Sequence, residues 1–390
     1  MTRRRSLPPL LLAAALAGCA GGAPVDVRDA ATAAPTQWHA PLPHDGRVDD
    51  LNRWWQQFDD PLLSDLQTAA QAVNPTLASA RRRIGQSRAT RVAAGASPVP
   101  TLDANANASR SRQQPDLPVS NAYSAALQAG WEIDLFGRNQ AAWDAARARY
   151  AGAQAGWHEA RVAVAAEVAS TYLQLRSCEA QLVKVQADTT SRNETSRLTD
   201  LATRAGFQAP AAAALARATA AQGNALYVQV KAQCDSNVKA LVALTGFEEP
   251  ALRSRLADRA GTLPVPALIG VGTVPADVLN QRPDIFAAAR DVEAAGAEVS
   301  QARAARLPRV TLGGSYGRMR IETSAYELEG PSWSVGPLTV SLPLFDGGAR
   351  AANVDAARAR YDESTVAYRA KVRGAVREVE QALLDLDSTE

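Results

Sequence analysis

The sequence predicts an α+β membrane protein built as a tandem repeat of long coiled-coil helices and four amphipathic strands. Three observations predict it. The heptapeptide Asp144-Ala-Ala-Arg-Ala-Arg-Tyr150 returns letter for letter as Asp355-Ala-Ala-Arg-Ala-Arg-Tyr361. Ahead of each copy lie stretches in which apolar and polar residues alternate, the period-two signature of strands. Behind the first copy, an Ala-, Gln- and Arg-rich segment from Arg138 to about Ala202 carries no helix-breaking signal.

The repeat is collinear. Pro75 matches Pro283 and Pro100 matches Pro308 at an offset of 208. Leu135-Phe136-Gly137 matches Leu344-Phe345-Asp346 at 209, and the heptapeptides match at 211. Drift of this kind is what loops of slightly different length produce. Four matches in order define a duplication.

The chain opens with a targeting segment. Arg3, Arg4 and Arg5 precede an apolar run from Leu7 to Ala17, well short of the roughly 20 residues that a spanning helix needs. It reads as a signal peptide over residues 1–18. Leu16-Ala17-Gly18-Cys19 looks like a bacterial lipobox, with cleavage before Cys19 and a diacylglyceryl thioether, later palmitate-bearing, on its sulfur. Acyl chains contribute about 0.8 kcal/mol per buried CH₂. Ala20 stands where Asp typically retains lipoproteins at the inner membrane, which favours the outer one. Residues 19–59 then read as a lipid-anchored extended leader.

Repeat one spans residues 60–250, residues 251–281 read as a linker, and repeat two occupies 282–390. Each begins with an amphipathic helix: about Pro61 to Ser97 with a break at Asn74-Pro75, and about Pro283 to Arg306. Proline ends each, because it lacks the N–H and disfavours helix before it. Strand pairs follow. Leu102, Ala104, Ala106 and Ala108 alternate with Asp103, Asn105, Asn107 and Ser109, and Tyr123 to Leu135 alternate in the same way. In repeat two, Val310, Leu312, Gly314 and Tyr316 form one apolar series. Trp333 and Val335, then Leu338, Val340, Leu342 and Leu344, form the other, with a phase change at Gly336-Pro337 that suggests a bulge or a bend. Tyr123, Trp131, Tyr316 and Trp333 are candidates for interfacial aromatic girdles.

The long helix from Arg138 would reach roughly 100 Å at 1.5 Å per residue. Val164, Val168, Thr171, Leu175, Cys178, Leu182 and Val185 step by fours and threes, a coiled-coil seam. The chain turns at Arg204–Pro210 and returns in a helix to about Leu244. Cys178 lies 28 residues before Gly206 and Cys234 lies 28 after it. In an antiparallel hairpin these positions are level, so the pair is either a disulfide or two buried thiols. The periplasm permits the former.

Composition excludes several classes. A net charge of +2 implies no acidic partner and no nucleic acid. His39, His44 and His158 stand at no metal-ligand spacing, and no phosphate loop or nucleophile elbow occurs, so neither catalysis nor a cofactor is expected beyond the lipid on Cys19. No later segment holds 18 consecutive apolar residues. A chain of this kind crosses a membrane only as β-strands, since only helices and closed barrels satisfy their backbone groups in lipid.

Several blocks resemble a known family. Trp54-Trp55-x-x-Phe58-x-Asp60-Pro61-x-Leu63 followed by Asn74-x-x-Leu77, Arg282-Pro283-Asp284-Ile285, Trp131-x-x-Asp134-Leu135-Phe136-Gly137 and Leu342-Pro343-Leu344-Phe345-Asp346-Gly347-Gly348 are similar to blocks of the TolC/NodT outer-membrane factors. The resemblance implies a homotrimer whose four strands per chain close a 12-stranded barrel, continued by a periplasmic helical tube. It implies a passive efflux duct for small molecules, linked by a periplasmic adaptor (membrane fusion) protein to an inner-membrane pump of the RND type. Metal-ion or protein-secretion ducts share the fold, and a non-conducting coiled-coil lipoprotein is the reading from another class. By position, Arg204, Gly206, Phe207 and Gln208 fall on the hairpin tip that meets the adaptor, although Gly206 also suits any turn needing a positive φ. Only 29 residues follow Tyr361, so repeat two is expected to be incomplete, either as a fragment or as a truncated product.

Overall fold

The computed structural model describes residues 51–112, 118–266 and 282–388. Cys19 and the expected leader up to residue 50 lie outside the described residues. After a short 3-10 helix at Leu51–Phe58, the order is α1 (Pro61–Val73), α2 (Pro75–Ala96), β1 (Thr101–Ser111), β2 (Ser120–Ile133), α3 (Arg138–Arg204), α4 (Pro210–Thr245), α5 (Glu249–Ala257), α6 (Pro283–Ala304), β3 (Arg309–Thr323), β4 (Glu327–Ser341) and α7 (Ala349–Asp387).

Two compact units share these elements, one drawn from within 84–154 and 284–375 and the other from within 35–83, 155–283 and 376–390. Each takes material from both repeats. The boundary between repeats is therefore not a boundary between folded units.

The unit containing the α3–α4 hairpin has a conventional core. Leu63, Leu66 and Ala70 of α1 pack with Val164, Val168, Tyr172 and Leu175 of α3, and with Val238 and Leu241 of α4. Two expectations need correction here. The end of the leader is not extended: Trp55 on the 3-10 helix is buried in this core, with Trp54 and Phe58 against it. The linker from 251 is also structured at its start, since α5 buries Leu252 and Leu256 in the same cluster. Apolar side chains four apart drive both segments onto the core.

Local chemistry fixes the helix ends. Asp60 caps α1 by accepting from Leu62 and Leu63 N–H at 2.9 and 3.3 Å, with Pro61 in the first turn where no donor is needed. Asn74 ends α1 and accepts from Thr76 N–H at 2.9 Å, restarting the helix as α2. Gly246, at φ +68, terminates α4 in the left-handed conformation.

The other unit is built around one antiparallel sheet in the order β1-β2-β3-β4. The expected bulge is present: the β3–β4 register shifts between Leu312 and Gly314, opposite the cis Gly336-Pro337 bond. Leu135, Leu342 and Leu344 lie just past the strand ends, not within the strands. Gly317 admits no side chain, because a Cβ there would stand 2.3 Å from the Ala125 carbonyl oxygen. The helical part of this unit packs on alanines, with Ala145, Ala148 and Ala294 buried together.

Candidate channel wall and hairpin tip

The sheet register sorts the strand residues into two faces. On one face, Ala104, Leu127, Tyr316 and Trp333 share a row, and Ala129, Gly314 and Val335 share the row nearer the helices. On the other, Asp103, Gln128, Ser315 and Ser334 share a row, in which Gln128 Oε1 accepts from Asn105 Nδ2–H of the next row at 3.0 Å and the Ser315 and Ser334 hydroxyls meet at 2.9 Å. The apolar face is uncovered: Trp333 is 72% and Val335 86% exposed. A soluble domain seldom leaves so large an apolar sheet face in water. Turned to lipid, the same face is at rest and the polar face meets water.

The apolar band does not run straight across the sheet. Two rows beyond Trp333, β4 and β3 carry Glu329 and Arg320, while β2 and β1 still carry Tyr123 and Ala108. The band climbs toward the turns from β4 to β1, as it must when strands tilt across a membrane.

The strand-to-helix corners are held by carboxylates. Asp134 accepts from Gln140 N–H at 2.8 Å, and Asp346 accepts from Gly348 and Arg350 N–H at 3.0 and 3.2 Å. Each occupies a free helix N-terminus, where negative charge is stabilising. Glu132 pairs with Arg309 at 2.7 Å and Arg138 at 3.4 Å, tying the end of β2 to the start of β3 and of α3.

Cys178 and Cys234 form a disulfide across the hairpin, with Cα atoms 5.6 Å apart. Toward the tip, Thr189 donates to the Gly223 carbonyl at 3.0 Å, the Asn193 and Asn224 side-chain amides exchange hydrogen bonds at 3.3 and 3.2 Å, and Arg217 pairs with Asp200 at 2.6 Å. The tip itself is a Schellman turn. Gly206 N–H donates to Thr203 O at 3.1 Å and Phe207 N–H to Ala202 O at 2.9 Å, with Gly206 at φ +86. Gly206 is thus accounted for by the backbone alone. Phe207 is not: the residue at its position usually folds back on the helix, yet it is 86% exposed. Arg204 and Gln208 flank it, both exposed.

Sequence reasoning missed a buried polar chain. Tyr172 donates to Asp60 at 2.6 Å, Arg176 donates to Tyr172 at 3.1 Å, to Glu179 at 2.8 Å and to the Leu256 carbonyl at 2.9 Å, and Glu179 accepts from Gly261 N–H at 3.0 Å. Tyr172, not the expected Thr171, lies on the buried seam, because Val168, Tyr172 and Arg176 form one four-residue ridge. Burial, then the Asp60 carboxylate, pushes the Tyr172 hydroxyl up to about 12. Among the described residues no helix is long and apolar enough to cross a membrane, and no group of His, Cys, Asp and Glu is placed to hold a metal ion.

The model of the family "Outer membrane efflux protein" matches residues 66–247 and 274–390. The chain belongs to this family. Among its relatives, outer membrane protein OprJ of Pseudomonas aeruginosa is 33% identical over 97% of this chain and 80% of that protein. Nodulation protein T of Rhizobium leguminosarum bv. trifolii is 30% identical over 85% of this chain and 71% of that protein. The solved structure of the outer-membrane channel OprN superimposes with a TM-score of 0.80 at 29% identity, covering 92% of this chain and 82% of that one. As an outer membrane efflux protein, the chain is an outer-membrane channel component whose helices extend into the periplasm. The exposed apolar sheet face is its lipid-facing wall, and the strand turns lie on the side away from the helices.

Proposed function

We propose that three copies of this chain close a 12-stranded barrel that passes small molecules out through the outer membrane. The observation that carries this reading is the four-stranded sheet with two open edges, β1 and β4, and one uncovered apolar face. Open edges are untenable in lipid and four strands do not close on themselves, so neighbouring copies must supply the missing partners. Polar rows with Asp103, Gln128, Ser315 and Ser334 then line a water-filled passage. A toluene efflux pump outer membrane protein of Pseudomonas putida, TtgI, is 29% identical over 92% of this chain and supports a small-molecule cargo.

Transport through such a duct is passive, and the energy comes from a partner. The reading includes a periplasmic adaptor protein that receives the tip residues Arg204, Gly206, Phe207 and Gln208, and an inner-membrane pump of the RND type behind it. The 86% exposed Phe207 supports this, since the turn's own geometry gives no reason for it. Acylation of Cys19 anchors the chain. With two cysteines in the disulfide, Cys19 is the one left over for modification.

Single-channel recording in a planar bilayer tests the duct. Discrete conductance steps from the purified full chain are expected, and a chain that assembles but never conducts would overturn the reading. Metabolic palmitate labelling that persists in Cys19→Ser would refute the anchor.

A further inference from the structure

The outer face of the sheet is unequal at its two edges, near the turns. Arg318 pairs with Glu329 at 3.0 Å, and Arg320 bridges Glu322 at 2.7 Å and Glu327 at 2.8 Å. Two guanidinium groups thus serve three carboxylates, and both Glu327 and Glu329 stand on the open edge strand β4. At the opposite edge, Arg110 continues the outward series of β1 after Ala108, and Arg112 continues it past the strand end. Both arginines are exposed, and neither has an ion pair among the described residues. One edge carries surplus carboxylate and the other carries unpaired guanidinium.

Barrel geometry says which residues would face each other. Four strands spaced about 4.8 Å apart occupy about 19 Å, and a tilt of about 35–45° climbs about 13–19 Å over that width. At about 3.3 Å per residue this is roughly four to six residues, and it must be even to keep side chains on their faces. Within one chain the register runs Arg110–Asn121–Glu322–Glu327. A step of about four residues sets Arg112 opposite Glu329, Arg110 opposite Pro331 and Ala108 opposite Trp333. A step of about six puts Arg110 against Trp333, a charge inside the apolar band.

Resting on the trimer reading above, we propose that successive copies meet with Arg110 and Arg112 of one against Glu329 of the next, and with Ala108 beside Trp333. The ion pairs lie above the apolar band, at the height where charge on the outer face costs little. They set the register of the seam, which backbone hydrogen bonds alone leave free to slip.

Cysteine pairs in the full chain, with its native disulfide intact, test this. Arg112→Cys with Glu329→Cys is expected to give covalently linked trimer under mild oxidation, and in greater yield than Arg110→Cys with Glu329→Cys, the pair a two-residue step would favour. Reversing Glu329 to Arg is expected to lower the trimer fraction in native mass spectrometry, and adding Arg110→Glu and Arg112→Glu is expected to restore it. A trimer that cross-links best through the second pair, or that ignores the reversal, overturns the seam while leaving the trimer standing. An unmodified chain found only as monomer overturns both.

Discussion

The hairpin core and the β-sheet solve opposite problems. In the core, Leu63, Leu66, Tyr172 and Leu241 are fully buried, and Asp60, Tyr172 and Arg176 are hydrogen-bonded to one another and to the Leu256 carbonyl. In the sheet, Leu127, Tyr316, Trp333 and Val335 are exposed and both edges are open. One region is complete as a single chain, and the other is complete only with lipid and further copies. Stability of the first is a property of the sequence. Stability of the second is a property of its surroundings.

The largest expected effect falls on the complete region. Replacing Cys178 and Cys234 together by Ala releases a long loop, and chain entropy puts the loss at about 4 kcal/mol. Urea unfolding of the hairpin, followed by tryptophan emission, checks it, and the sheet's own transition should hardly move. Next comes the sheet. Leu127→Arg sets a charge in the lipid-facing band and should cost about 2–4 kcal/mol if it lies near the bilayer midplane, read as loss of membrane insertion. In detergent-free buffer the same change should not harm the hairpin core.

Tyr172→Phe is expected to cost about 1–3 kcal/mol, because it strands the buried Asp60 oxygen. It also carries a pH signature. The folded-state value of Tyr172 is about 12, against about 10 for an unperturbed tyrosine. Between those values the unfolded chain has lost the proton that the folded chain keeps, so stability falls as pH rises through that window. Below the lower value there is no penalty. The Phe variant should lack this alkaline decline in thermal melts. The smallest effect is at the tip: Phe207→Ala should leave the melting profile within about 0.5 kcal/mol of the parent, while adaptor capture in a periplasmic cross-linking assay drops.

How much of this was legible in the sequence follows the same division. Alternation gave the strands, proline and glycine gave the helix ends, and the phase change at Gly336-Pro337 marked the bulge that the register shows. Equal spacing about Gly206 placed the cysteines level. The buried chain from Asp60 to Glu179 was not legible, because Arg176 looks like any exposed helical arginine until α5 supplies the Leu256 carbonyl. Nor was α5 itself, whose nine residues are too short for a clear period. On β3, alternation fades after Tyr316 because the outward face changes from apolar to charged at Arg318. The fading coincides with the end of the apolar band on that face.

The disulfide has a mechanical consequence. A helical hairpin joined only by its turn lets its two arms slide past each other when a partner pulls on the tip. With Cys178 bonded to Cys234, the arms are covalently joined at that crossbar and held together by non-covalent contacts alone in the 28 residues on each side of Gly206. Displacement at the tip is spent as shear in that distal stretch, across the Asp200–Arg217 and Asn193–Asn224 contacts. Load reaching the crossbar passes on as tension shared by both helices.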